Sequence, residues 1–130
     1  MAPETASHAS ATWLDETDVV LTLQRAKQRG LTRFIGWSGK TVEAERRALD
    51  WADVMMVEYH ADDDSHTAIL DACGARGVGV MIKKGLASGS LPPSRSIPFV
   101  LGHPAVSTLV VGGLDLGHMG ENVGFARAAR

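Results

Sequence analysis

VMMVEYH, residues 54–60, is the stretch that decides the fold. Val54, Met55, Met56 and Val57 follow one another with no polar residue between them. A strand with one wet face alternates apolar and polar positions. A nearly continuous apolar run marks a strand covered on both faces, as in a parallel sheet beneath crossover helices. Working outward toward the N-terminus, Thr41 can cap a helix through about Trp51. Before it come the loop Ser38-Gly39-Lys40 and a short strand, Thr32 to Trp37. Further back, Thr17 to Arg29 reads as a helix. Asp15, Glu16 and Asp18 lie at its positive end, Lys27 and Arg29 in its last turn, and Gly30 at the left-handed position that follows. Met1 to Thr12 is small and polar and reads as a disordered lead-in.

Toward the C-terminus the pattern repeats. An acidic loop, Asp62-Asp63-Asp64, leads to Ser65, a cap for a helix ending near Arg76, with Gly77 as its stop. Val78 to Lys83 is a strand, and Gly85 to Ser96 a long loop rich in Gly, Ser and Pro. Ile97 to about Gly102 reads as a short helix with Pro98 in its first turn. Ser107 to Val111 is a strand, and Asp115 caps a last helix from Leu116 to Ala129. Strands alternating with helices imply right-handed crossovers and a parallel sheet. The repeat of about 20–30 residues is the size of one βα unit. Four strands are half of a (β/α)8 barrel, and spacing alone leaves a half-barrel and a small open sheet both standing.

Bulk properties narrow the function. A chain of 130 residues, 45% apolar, is one domain with enough apolar side chains to fill a core. The half-barrel reading covers residues 13–130. A net charge of −2 gives no electrostatic reason to expect nucleic acid or an anionic membrane. The single cysteine, Cys73, makes an internal disulfide impossible. No apolar run approaches the roughly 18 residues of a membrane span, and MAPETASHAS lacks the basic and apolar regions of a secretory signal. The expected location is the cytoplasm.

Four segments, in order, resemble the aldo-keto reductase family. They are GLTRFIGWSGK (30–40), VMMVEYH (54–60), GVGVMIKKGLASGSL (77–91) and HPAVSTLVVGGLDLGHMGENV (103–123). The resemblance runs from Asp15 to Arg130. It implies strands five to eight of a TIM barrel, with functional groups at the C-terminal ends of the strands. It also implies a nicotinamide cofactor, NADP or NAD. Ser38 matches the family serine that meets the nicotinamide carboxamide, its alternative role being that of a turn serine. Gly39 stands where the family has Asn. Lys83 and Lys84 replace a Tyr-Ser pair. Their ammonium groups suit a diphosphate, or else a barrel-wall salt bridge to Glu58. Leu86, Gly89 and Leu91 keep the pattern of the loop that covers the pyrophosphate. Gly112 and Gly113 replace Lys-Ser, and their small size lets backbone amides approach a phosphate at a helix N-terminus. His118 takes the place of an Arg found in relatives that prefer the 2′-phosphate. Glu121 and Asn122 match the adenine-binding pair.

Other features read as structural. Gly39-Lys40-Thr41 would end a phosphate-binding loop only if a glycine preceded Gly39 by five residues, and that residue is Phe34. Met56, where the family has Gln, reads as core. Tyr59, the only tyrosine, matches a structural aromatic of the family pattern. His60, Asp62, Asp63, Asp64 and His66 read as a solvated capping loop, with no metal expected. The resemblance implies NAD(P)H-dependent reduction of a carbonyl to an alcohol. The family's tetrad of Asp, Tyr, Lys and His comes from the first four strands, so no catalytic residue is assigned here. The expectation is an inactive chain with weak, poorly discriminating cofactor binding. It would self-associate or pair with a separately encoded N-terminal half. The alternatives are a non-enzymatic half-barrel that binds a partner and a small α/β nucleotide-binding module.

Overall fold

In the computed structural model, which describes residues 11–129, the decisive run forms β2 (Val54–Glu58) inside a four-stranded parallel sheet. The strand order is β1 (Gly36–Ser38), β2, β3 (Gly79–Lys83), β4 (Thr108–Leu109). Trp37 is level with Met55, Met56 with Met81, Val57 with Ile82, and Ile82 with Leu109. Sequential parallel strands need crossovers, and helices supply them: α3 (Val42–Ala48), α4 (Thr67–Arg76) and α5 (Pro93–Leu101). Before the sheet stand α1 (Ala11–Glu16) and α2 (Val19–Gln28), and after it α6 (Leu116–Ala128).

Side chains alternate across a strand, so each strand divides its residues between two faces. Met55 and Val57 of β2 and Val80 and Ile82 of β3 are wholly buried and form the core with Ile69, Leu70 and Cys73 of α4 and Val100 of α5. Val54, Met56 and Glu58, and likewise Met81 and Lys83, are half-buried. The apolar run is thus covered by helices on one face and half open on the other. Met56, read from sequence as core, lies on the half-open face.

Several boundaries move for identifiable reasons. The first helix begins at Ala11, because Ala11 and Leu14 bury against Ala44 beside Trp37 and Trp51. Ala11 and Thr12 therefore leave the expected lead-in, and residues 1–10 lie outside the described ones. The helix expected over 17–29 is α2, separated from α1 at Thr17, whose hydroxyl donates to Trp13 O at 2.9 Å. The strand expected over Thr32–Trp37 is confined to Gly36–Ser38, with Ile35 O accepting Asp53 N at 2.8 Å just ahead of it. Asp53 also accepts Ile35 N at 3.0 Å and Lys27 Nζ at 2.7 Å, which ties α2 to the start of the sheet. Thr41 caps α3 as expected, accepting Ala44 N at 3.3 Å. His66, not Ser65, occupies the cap position of α4, and Gly77 ends that helix with φ +70°. The loop expected over 85–96 holds a 3-10 turn, Ala87–Gly89, and the start of α5. Pro93 at the first position of α5 lacks only an amide that would find no partner there. Pro98 falls inside the helix and removes one of its hydrogen bonds. The strand expected over 107–111 is Thr108–Leu109, although Ser107 N and Val110 N still donate to Val80 O and Ile82 O. Among the described residues, no helix is long and apolar enough to cross a membrane.

Candidate functional site

Parallel strands bring their C-terminal ends together, and three of the expected residues meet there on the half-open face. Lys83, the last residue of β3, reaches across β2 to β1. Its Nζ donates to Ser38 Oγ at 3.1 Å and to Gly39 O at 2.7 Å. Burial lowers its proton affinity, against the attraction of Glu58 and Glu45, while Lys84 and Lys40 lower it further. The next residue, Lys84, has φ +54° and turns away to pair with Glu58, 3.0 Å from Oε1. The wall salt bridge to Glu58 thus involves Lys84, while Lys83 binds neutral oxygens. At Gly39 there is no room for a side chain, because a Cβ would stand 2.3 Å from Trp37 Nε1. Asparagine is excluded at that position by the Trp37 indole, which in turn lies 6.2 Å from the Trp13 ring.

A second group surrounds a cavity of about 350 Å³ between the β3–α5 loop and the end of β4. Lys84, Leu86, Ser88, Gly89 and Gly112 line it. The loop is held in an uncommon backbone form, with Lys84, Ala87, Ser88 and Gly89 all at positive φ. Around Gly89 and Gly112 nothing lies within 4 Å of a notional Cβ, so the backbone there is open to approach. The lining offers a diphosphate one ammonium, shared with Glu58, and no carboxylate, while the amides of Ala87, Gly89 and Leu91 are taken by carbonyls within the loop.

The adenine-side residues are not gathered in the same way. Asp115 caps α6, accepting His118 N at 2.9 Å. His118, Glu121 and Gly113 are exposed. Asn122 faces a different cavity, of about 650 Å³, between α5, β4 and α6, whose lining includes Met119 and Val123. Adjacent helical residues point roughly 100° apart, and of the pair Asn122 lines this cavity.

Two features escaped the sequence reading. Glu45 of α3, wholly buried, receives His66 Nδ1 at 2.6 Å. Burial raises its carboxyl pKa, against the hydrogen bond and charge of His66 and the charge of Lys83. The signal available was a glutamate between Ala44 and Ala48, on the side of α3 that turns inward. The other feature is the Trp37 indole over Gly39. Tyr59 lies on the covered side, stacked 5.1 Å from Phe99, and burial raises its phenol pKa.

No protein-family model matches the sequence, and no curated protein matches it. Solved structures do. Two structures from Pseudomonas aeruginosa, both described as aldo-keto reductases, are 33% identical over 95% of this chain, with a TM-score of 0.88. The chain is similar over nearly its whole length to one half of these aldo-keto reductases. A Bacillus halodurans aldo-keto reductase, solved in a holo form, shares the fold at 19% identity, with a TM-score of 0.74 over 87% of this chain. The chain spans about half the length of these aldo-keto reductases, 49%, 48% and 50%. Its four parallel βα units match half of their TIM barrel, as expected from sequence.

Proposed function

We propose that this chain forms the dinucleotide side of a nicotinamide-dependent carbonyl reductase. The observation that carries the reading is the convergence of Lys84, Leu86, Gly89 and Gly112 on one cavity at the C-terminal end of the sheet. Lys84 would meet the diphosphate, and His118 would lie toward the adenosine. Ser38 accepts from Lys83, which leaves its own hydroxyl hydrogen to meet the carboxamide oxygen. Bound in this way, the cofactor would supply the hydride that reduces a carbonyl.

The reading includes inactivity of the chain alone. Reduction of a carbonyl needs a proton donor at the oxygen. Tyr59, the one phenol, lies on the covered side of the sheet. A cytoplasmic partner would close the half-open face and provide the donor, either a second copy or a separately encoded N-terminal half. Helices that flank the strands at both ends, α2 before β1 and α6 after β4, bury no residue, which supports a partner at both edges.

Calorimetric titration with NADPH and NADH tests this. Both should bind weakly, within about tenfold or roughly 1.4 kcal/mol of one another. Lys84→Gln should weaken both, and His118→Arg should favour NADPH, since a guanidinium clamps phosphate in bidentate fashion and an imidazole does not. Absence of binding, or a preference for NADPH above about a hundredfold, would contradict the reading. Sedimentation equilibrium should find a dimer or larger species, and aldehydes should elicit no cofactor consumption.

A further inference from the structure

Lys83 differs from the other lysines whose partners the structure fixes. Lys27 is paired with Asp53, and Lys84 with Glu58. Lys83 has two neutral oxygens, Ser38 Oγ and Gly39 O. A neutral amine carries two hydrogens and one lone pair. Donation of both hydrogens to these oxygens leaves the lone pair directed away from them, on the half-open face of the sheet. An ammonium would carry a third hydrogen, for which the described residues supply no hydrogen-bond acceptor. Of the surroundings, burial has the largest effect and works in the same direction, against the attraction of Glu58 and Glu45. Burial and the positive charges of Lys84 and Lys40 disfavour the protonated form. A lysine beside another cation in a partly desolvated site is the setting in which amines act as nucleophiles toward carbonyl groups.

We propose that Lys83 is an imine-forming nucleophile, and that the open C-terminal end of the sheet is a binding site for small aldehydes independent of any dinucleotide. The Nζ lone pair attacks the aldehyde carbon, and the carbonyl π pair moves to oxygen. That oxygen takes up a proton as the nitrogen loses one, giving a carbinolamine. The nitrogen lone pair then expels the hydroxyl, which leaves as water with one proton from solvent, and a protonated imine remains. The sum is one aldehyde, one neutral lysine amine and one proton giving one iminium and one water, with no oxidant or reductant. Ser38 and Gly39 O are positioning groups that hold the nitrogen. The half-buried Met56 and Met81, level with each other beneath it, offer an apolar floor for the aldehyde's carbon chain.

The test is reductive trapping on the full chain. The protein is incubated near neutral pH with glycolaldehyde and sodium cyanoborohydride, and peptides are mapped by mass over time. Each trapped imine adds the mass of the aldehyde less one oxygen. Lys83 should label first, on the order of five to ten times faster than Lys27, Lys40 or Lys84. Its rate should level off at a lower pH than that of a lysine in a short peptide. Lys83→Arg, which can keep both hydrogen bonds but has no free lone pair, should abolish the fast phase. Ser38→Ala should slow it. Labelling of Lys83 at the same rate as Lys27 or Lys40, or first labelling at Lys84, would overturn the proposal. Since the reaction needs no NADPH or NADH, its outcome is separate from that of the cofactor titration.

Discussion

The two faces of one sheet are built from the same strands and do different work. On the covered face, Met55, Val57, Val80 and Ile82 are wholly excluded from water. On the other, Met56, Glu58, Met81 and Lys83 alternate with them residue by residue and stay half-buried. The covered face holds apolar side chains and the buried thiol of Cys73, whose pKa burial pushes up to about 11. The open face holds a carboxylate, an amine and a hydroxyl. Stability and chemistry are therefore separated by the pleat and not by position along the chain. A one-residue shift in register would exchange them.

The sharpest way to break this comparison is a matched pair of truncations. Ile82→Ala should cost roughly 2–5 kcal/mol, as a fully buried large residue does. Met56→Ala, one strand away on the open face, should cost about 1 kcal/mol or less. Urea midpoints of the two variants decide, and equal losses would mean that the open face is covered in solution.

A smaller effect comes from Glu45. Its folded pKa lies above the ordinary 4.5. The folded state then binds this proton more tightly than the unfolded chain does. The stabilising contribution is fully present below the unfolded value and is lost as pH rises through the folded one. Glu45→Gln should remove that loss, so the stability gap between variant and parent should shift in the variant's favour as pH rises above the ordinary carboxylate value. A gap independent of pH would show that His66 and Lys83 fully offset the burial.

The smallest expected effect lies outside both faces. Asp115→Ala removes the cap of α6 at a cost of about 1 kcal/mol to that helix. Because α6 buries no residue, hydrogen exchange should quicken in α6 while the amides of β2 and β3 stay unchanged.

The succession of strands and helices was legible because apolar runs, capping residues and stop glycines are local signals. Thr41, Gly77 and Asp115 act as read. What sequence could not give was which face each strand turns to the helices. VMMV is apolar at every position, so it carries no alternation to read, and Met56 was misplaced for that reason. The start of α5 was missed because Pro92-Pro93 signals a loop as strongly as a helix N-terminus. In the site, motif order located Lys84, Leu86, Gly89 and Gly112, which the fold brings together. The partners of Lys83 and of Glu45 lie 44 or 45 and 21 residues away in sequence, and only the fold reveals them.

The indole over Gly39 also constrains which sequences are reachable from this one. Gly39→Asn alone would drive a side chain into Trp37, and Trp37 alone cannot shrink without loosening its contact with Trp13 and the buried residues of α1. The two positions are epistatic. A change at residue 39 is tolerated only after residue 37 has yielded, so a scan of single substitutions would score Gly39 as invariant, whereas a paired library would recover asparagine beside a smaller residue 37.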